Sequence, residues 1–316
     1  MINILSRQPA LVAEIQALGP FELGESIRFL KGFTPAARED AEEEAGVLRM
    51  AFPVEGSWEY AGAVVRGKGT RSVEVEVHAT AQVAPAALVQ VRRILSLDVD
   101  GSGFARLGEA DPVVRRLRSR YPGLRPVLFH SPYEAACWAI IGNRIRIARA
   151  ARVKQQIAER AGGVVEVDHR RLIAFPAPED LLATEPHPDL LPAKVAQLNS
   201  IAEAARDGRL DANLLRSMTV EQALARLRKL PGIGPFSAQL ILIRGAGHPD
   251  VFPRDEPRLH AEMRHAYAVD GAEVAELEEI SEGWRPYRSW VALLLRSDRE
   301  RRIGEIRKAG AAITPS

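Results

Sequence analysis

The residues best suited to chemistry are two adjacent acids, Asp255 and Glu256, which stand directly before Pro257 and a helical pattern carrying Leu259 and Met263. The first backbone N–H groups of a helix have no intrahelical partners and favour a negative charge beside them. A carboxylate held there can stabilise a developing cation and orient or activate a water. Asp255 could equally serve only as the helix cap. A second capability lies upstream, where Pro231, Gly232, Ile233, Gly234 and Pro235 follow one another. The two glycines supply backbone freedom and remove side-chain bulk, so main-chain N–H groups can face outward where a helix begins at Pro235. An anion is expected to bind there.

Thr219 and Gln222 have the spacing of a capping box, which predicts a helix from there to about Leu230. Pro235 suits the first position of a second helix, and Arg244 with Gly245 reads as that helix's end. Ile233, Phe236, Leu240, Ile241 and Ile243 are expected to pack this hairpin onto the body of the protein.

The stretch from Leu230 to Leu259 resembles the helix-hairpin-helix and the Gly/Pro-rich loop with acid of the DNA glycosylase superfamily, and most closely its 3-methyladenine DNA glycosylase II branch. The resemblance extends over nearly the whole chain. It implies a mostly α fold with an α+β N-terminal domain, in which two helical lobes flank a cleft behind a small antiparallel sheet. The division expected is residues 1–105 for the sheet domain and 106–316 for the helical part, with the hairpin at about 219–245.

The resemblance also implies roles. Aligned from Pro231, the family's aspartate falls on Glu256, whose side chain is one methylene longer and displaces the carboxylate by roughly 1 Å. A one-residue slip would give the role to Asp255 instead. Gly232, Ile233, Gly234, Phe236 and Ser237 would hold phosphate, and Asn143 and Arg144 would fill the gap left by an extruded nucleotide. Phe236 occupies the position of the lysine that forms a Schiff base in bifunctional members, so a monofunctional enzyme is expected. The base pocket would draw on Phe236, Leu240, Tyr133, Trp290 and Arg296. Leu240 and Arg296 stand where aromatic residues are usual, which weakens recognition of a cationic base.

Elsewhere the signals are structural. Ser26 to Leu30, Val47 to Pro53, Tyr60 to Gly67 and Ser72 to Ala79 read as strands, the last with valines alternating with polar residues. Pro85 to Leu95 reads as a helix lying on that sheet. Asp111 with Pro112 opens a helix whose arginines read as a solvated face, and Ser131, Pro132 and Glu134 form a second capping box. The helix Leu191 to Arg206 resembles the family's connecting region, with Lys194 at its usual basic position, and is expected to be scaffold.

With 316 residues, 46% hydrophobic and 27% charged, the composition is that of a globular protein. A net charge of +2 means that any basic surface must be local. The single cysteine, Cys137, excludes an internal disulfide and a four-cysteine cluster. No metal site or cofactor is expected, and no apolar run suggests a membrane span or export. The expected partner is double-stranded DNA containing damaged bases, met by a monomer in the cytoplasm and associated with the nucleoid. The expected activity is excision of damaged, alkylated purines. The alternatives are a binder that kept the hairpin and lost the chemistry, and a glycosylase for another lesion class.

Overall fold

Alternation of apolar and polar residues builds a four-stranded antiparallel sheet in the computed structural model, which describes residues 8–32 and 46–312, with side chains as far as residue 304. The strands are β1 (Leu11–Gln16), β2 (Val47–Pro53), β3 (Tyr60–Gly67) and β4 (Ser72–His78), in spatial order β1-β4-β3-β2. Val73, Val75 and Val77 turn to one face, where with Ile15, Met50, Phe52 and Val65 they meet α1 (Leu23–Gly32) and α2 (Ala84–Ile94). On the other face Glu74 pairs with Lys68 at 2.7 Å and Glu76 with Arg66 at 2.6 Å. That face is also covered by a distant hairpin, β5 (Val164–Val167) and β6 (Arg170–Ile173), whose Val165, Val167 and Leu172 pack on Ala51 and Val64. Gly62 makes the room, since a Cβ there would fall 2.2 Å from Val167 Cγ2.

Two expectations change. Ser26 to Leu30 is not a strand but lies within α1, because Leu23, Ile27 and Leu30 recur at helical spacing and are buried together with Ser26. The capping box at Ser131 is half made. Ser131 Oγ accepts the Glu134 N–H at 3.0 Å, but the Glu134 carboxylate accepts the His130 N–H at 3.2 Å and pairs with Lys154 Nζ at 2.6 Å.

Helices form the rest of the chain in two lobes. The first packs α5 (Pro132–Gly142), α6 (Ile147–Ala161), α8 (Pro192–Arg206), α9 (Ala212–Ser217), α10 (Val220–Leu227) and α11 (Pro235–Leu240) around Cys137, Ile140, Ile201 and Leu215. The short α7 (Pro178–Ala183) lies against α8. The second lobe packs α3 (Phe104–Ala110), α4 (Pro112–Arg120), α12 (Pro257–Tyr267), α13 (Val274–Glu282) and α14 (Arg288–Ala312) around Leu117, Leu259, Met263 and Trp284. Asp111 caps α4 as expected, and its second oxygen accepts hydrogen bonds from Tyr267 OH at 2.6 Å and Trp284 Nε1 at 3.2 Å. Val251 is buried in the first core and Phe252 in the second. The chain therefore changes lobes there, and the two acids follow at the seam.

Burial alone would raise the Glu134 carboxyl from its usual 4.5, but Lys154 and His130 beside it hold it well below. A depressed folded value contributes stability above the unfolded value and loses it as pH falls through the folded one. Glu134→Gln leaves Lys154 facing a neutral group in the core and is expected to cost about 3 kcal/mol at pH 7. Urea unfolding of both proteins checks this, with the two curves converging only in acid.

Candidate functional site

The hairpin begins on its expected box, with Thr219 Oγ1 accepting the Gln222 N–H at 3.3 Å and Gln222 Oε1 accepting the Thr219 N–H at 3.1 Å. Beyond α10 the turn closes through Ile233 N–H to Leu230 O at 3.1 Å, and Ile233 is buried as its anchor. The two glycines serve different ends. Gly232 has φ +81°, and a Cβ there would lie 2.6 Å from Gln197 Cδ and 2.7 Å from Ile140 Cδ1. Gly234 has ordinary extended backbone and nothing within 4 Å of a Cβ position, so it keeps the turn open from outside. No side chain caps α11, which leaves its first amides, including those of Phe236 and Ser237, without a capping acceptor.

The second helix continues through a π-helical turn, Ile241–Gly245, in which Ile241, Leu242 and Ile243 are buried. Gly245 allows its close approach to α5, because a Cβ there would fall 2.7 Å from Pro132 Cα. Phe236 departs from expectation. It is 47% exposed at the start of α11 and does not pack the hairpin onto the body.

The acid loop is pinned from several sides. Ser289 N–H donates to Pro249 O at 2.9 Å, Val251 N–H donates to Ser289 Oγ at 3.1 Å, and Arg288 Nε holds Asp250 Oδ1 at 2.7 Å. The His260 ring stacks on Phe252 and sets Nε2 3.0 Å from Pro253 O. From the hairpin, Gln239 Oε1 accepts the Asp255 N–H at 3.1 Å. Glu256, not Asp255, caps α12, with its Oε1 accepting the Arg258 N–H at 3.1 Å. The Asp255 side chain is exposed and pairs with no described residue.

Asn143 and Arg144 are both exposed just past the end of α5, and Arg144 has a left-handed backbone, φ 57°. Two residues of the expected base wall lie in the cores. Tyr133 is fully buried in the first core between Trp58 and Phe175. Trp290 is buried in the second core against Phe104 and Tyr287. Arg296 reaches along its own helix to Glu300 at 3.1 Å. Leu240, one turn beyond Phe236, is half-buried on the first core.

No protein-family model matches the chain. A DNA-3-methyladenine glycosylase of Bacillus subtilis is 29% identical over 63% of this chain and 67% of its own length. DNA-3-methyladenine glycosylase 2 of Escherichia coli is 31% identical over 56% of this chain and 61% of its own. The matched stretch thus spans about two thirds or less of these curated relatives. The solved structure of the 3-methyladenine DNA glycosylase of Archaeoglobus fulgidus superposes over 90% of this chain and 96% of its own, at a TM-score of 0.74 and 22% identity. The chain is thus similar in sequence to DNA-3-methyladenine glycosylases and shares the fold of the helix-hairpin-helix DNA glycosylases.

Within this glycosylase fold, sequence reasoning passed over Gln239, which ties the acid loop to the hairpin, and read Lys194 as scaffold. Lys194 Nζ donates to Ile141 O and Asn143 O, each at 2.8 Å. Neither residue carries a local signal, because its partner is set by the fold.

The glycines of the hairpin turn give a direct check. Gly232→Ala is expected to lower stability by about 1–3 kcal/mol, from the positive φ and the lost space together. Gly234→Ala should unfold within about 0.5 kcal/mol of the parent. Thermal unfolding of the two variants side by side measures the contrast.

Proposed function

We propose that the protein is a monofunctional base-excision glycosylase, which turns a damaged purine out of duplex DNA and hydrolyses its N-glycosidic bond. The observation that carries this is Glu256, a carboxylate fastened by one oxygen to the start of α12 and tied through the Asp255 amide to the hairpin helix. Its other oxygen has no hydrogen-bond partner among the described residues and would be the one to face a sugar. The names of the relatives support alkylated purines as the substrate class.

Hydrolysis breaks the bond between C1′ and the base nitrogen, and the base leaves with the bonding electron pair. Positive charge grows on the sugar, and the Glu256 carboxylate stabilises it. Water adds its oxygen to C1′ and gives up a proton, for which Glu256 or Asp255 is the acceptor. The products are a free base and an abasic site. Phe236 offers no amine, so strand cleavage through a Schiff base does not follow by that route.

The N–H groups of Gly234, Phe236 and Ser237 take a phosphate without reading sequence, which suits an enzyme that surveys any duplex before one nucleotide is extruded. The protein acts as a monomer on DNA in the cytoplasm. Among the described residues no helix is long and apolar enough to cross a membrane.

One observation favours a second reading. With Tyr133 and Trp290 in the cores, Phe236 is the remaining aromatic of the candidate wall, and one face attracts a cationic base weakly. A neutral lesion is then the alternative substrate.

Incubation with methylated DNA, and with duplexes carrying single deaminated or oxidised bases, should release free base and leave alkali-labile sites. Glu256→Gln is expected to slow release by about 100-fold or more while leaving affinity for the duplex nearly intact. Asp255→Asn should have the smaller effect. Binding to damaged duplex with no base released from any lesion would leave a binder without chemistry.

A further inference from the structure

The loop after α5 is held by a contact that nothing in the proposed chemistry requires. Lys194, in the first turn of α8, donates to Ile141 O and Asn143 O, both at 2.8 Å. These carbonyls lie at the open C-terminal end of α5, where a cation both satisfies them and meets the negative end of the helix dipole. Burial lowers the Lys194 ammonium from its usual 10.5, consistent with a charge turned inward onto the backbone. The clamp closes around Asn143, and the next residue, Arg144, carries the left-handed φ of 57°. Ile145 N–H then donates to Gly142 O at 3.3 Å to complete the turn. The Arg144 side chain is exposed and has no ion-pair partner among the described residues.

One helical turn along α8, Gln197 lies directly under Gly232 of the hairpin turn. Residues three apart share a helix face. The same face of α8 therefore holds the Asn143–Arg144 loop with one residue and packs beneath the phosphate-holding turn with another. A helix of this length is rigid, so the two contacts set the separation of loop and turn.

The geometry points to Lys194 as a positioning residue for nucleotide extrusion: its two hydrogen bonds preset the Asn143–Arg144 loop so that Arg144 enters the gap in the duplex at a fixed distance from the hairpin. This rests on the glycosylase reading above, and it assigns the step before bond cleavage. A preset loop spares the ordering of several backbone dihedrals when damaged DNA is bound. Undamaged duplex, which has no gap to fill, draws nothing from it. A lysine that only stabilised α5 would affect every duplex alike.

The test compares binding to a duplex carrying one tetrahydrofuran abasic analogue with binding to the same duplex undamaged, for wild type, Lys194→Met, Lys194→Arg, Arg144→Ala and the Lys194→Met/Arg144→Ala double variant. Lys194→Met keeps the stem and loses the donors. It is expected to lose about ten-fold of the preference for the abasic duplex, with undamaged binding and thermal unfolding little changed. Lys194→Arg should restore most of the preference. Arg144→Ala should lose a similar factor, and the double variant no more than either single one, because both changes remove the same event. An unchanged preference in Lys194→Met, an equal loss on both duplexes, or additive losses would overturn the inference, as would a wild type that shows no abasic preference. Release of free base by the wild type is scored separately. A protein that prefers the abasic duplex yet excises nothing would remove the glycosylase reading and leave the positioning role standing.

Discussion

A carboxylate can act on one sugar only if its distance from the phosphate grip is set, and in this chain that distance depends on the Asp255 N–H donating to Gln239 Oε1 at 3.1 Å. Gln239 is buried on the hairpin's second helix, so the acid loop inherits the position of the element that would hold the backbone of the DNA. The loop is otherwise anchored to the opposite lobe, through Ser289 and Arg288 behind it and the Phe252–His260 stack beneath it. Gln239 is thus the point at which the two lobes agree on where Glu256 stands. A neutral hydrogen bond of this kind contributes only about 1 kcal/mol to stability. Its consequence for geometry is larger, because a misplacement of about 1 Å at a reacting centre can cost about 100-fold in rate.

That agreement needs a hairpin that does not shift, and α5 supplies the floor. Its Ala135, Ala136, Cys137, Ile140 and Ile141 are all fully buried, so the helix is surrounded rather than laid on a surface. Gly245 brings the end of the hairpin helix against the start of α5, and Gly232 brings the turn against Ile140 near its other end. The buried Glu134 and the half-buried Lys154 join the same helix to α6. Close packing of this kind transmits displacement rather than absorbing it, which ties the turn to the loop after α5 and gives Gln239 a fixed base from which to hold the acid loop.

What could be read from the residues alone was whatever is decided within a few positions of chain. The Thr219 box, the proline at the start of α11, the cap at Asp111 and the alternation in β4 each depend on neighbours in sequence. The strand β1 and the hairpin β5–β6 owe their existence to partners far along the chain, and β3 is buried without a break from Ala61 to Val65 because that hairpin covers its second face. Ser26 to Leu30 misled because a short apolar run fits either period, and only burial against the sheet decides. Tyr133 and Trp290 could not be sorted into wall or core, since both uses call for the same apolar ring. Lys194 reaches its acceptors across about 50 residues, which no spacing rule anticipates.

Charge shows the same dependence on fold. The arginine run of α4 reads as a solvated face, yet Arg115 donates to Gly108 O and Glu109 O, Arg118 to Ala105 O, and Arg120 to Asp298. On α14, Arg301 joins Asp298, Arg302 and Arg299 meet the buried Glu262, and Arg296 meets Glu300. These cations hold the second lobe together and are spent there. Around the candidate site the situation differs: Arg144 and Arg146 after α5, Arg228 and Lys229 before the hairpin turn, and Arg258 beside the acid form no ion pair with a described residue. Electrostatic attraction for a polyanion falls off within about 8 Å at physiological salt, so what matters is where unpaired charge stands and not the sum over the chain. A net charge of +2 is therefore compatible with a strongly DNA-directed face, because neutralisation elsewhere is internal and the unneutralised residues flank the turn, the loop and the acid that would meet the duplex.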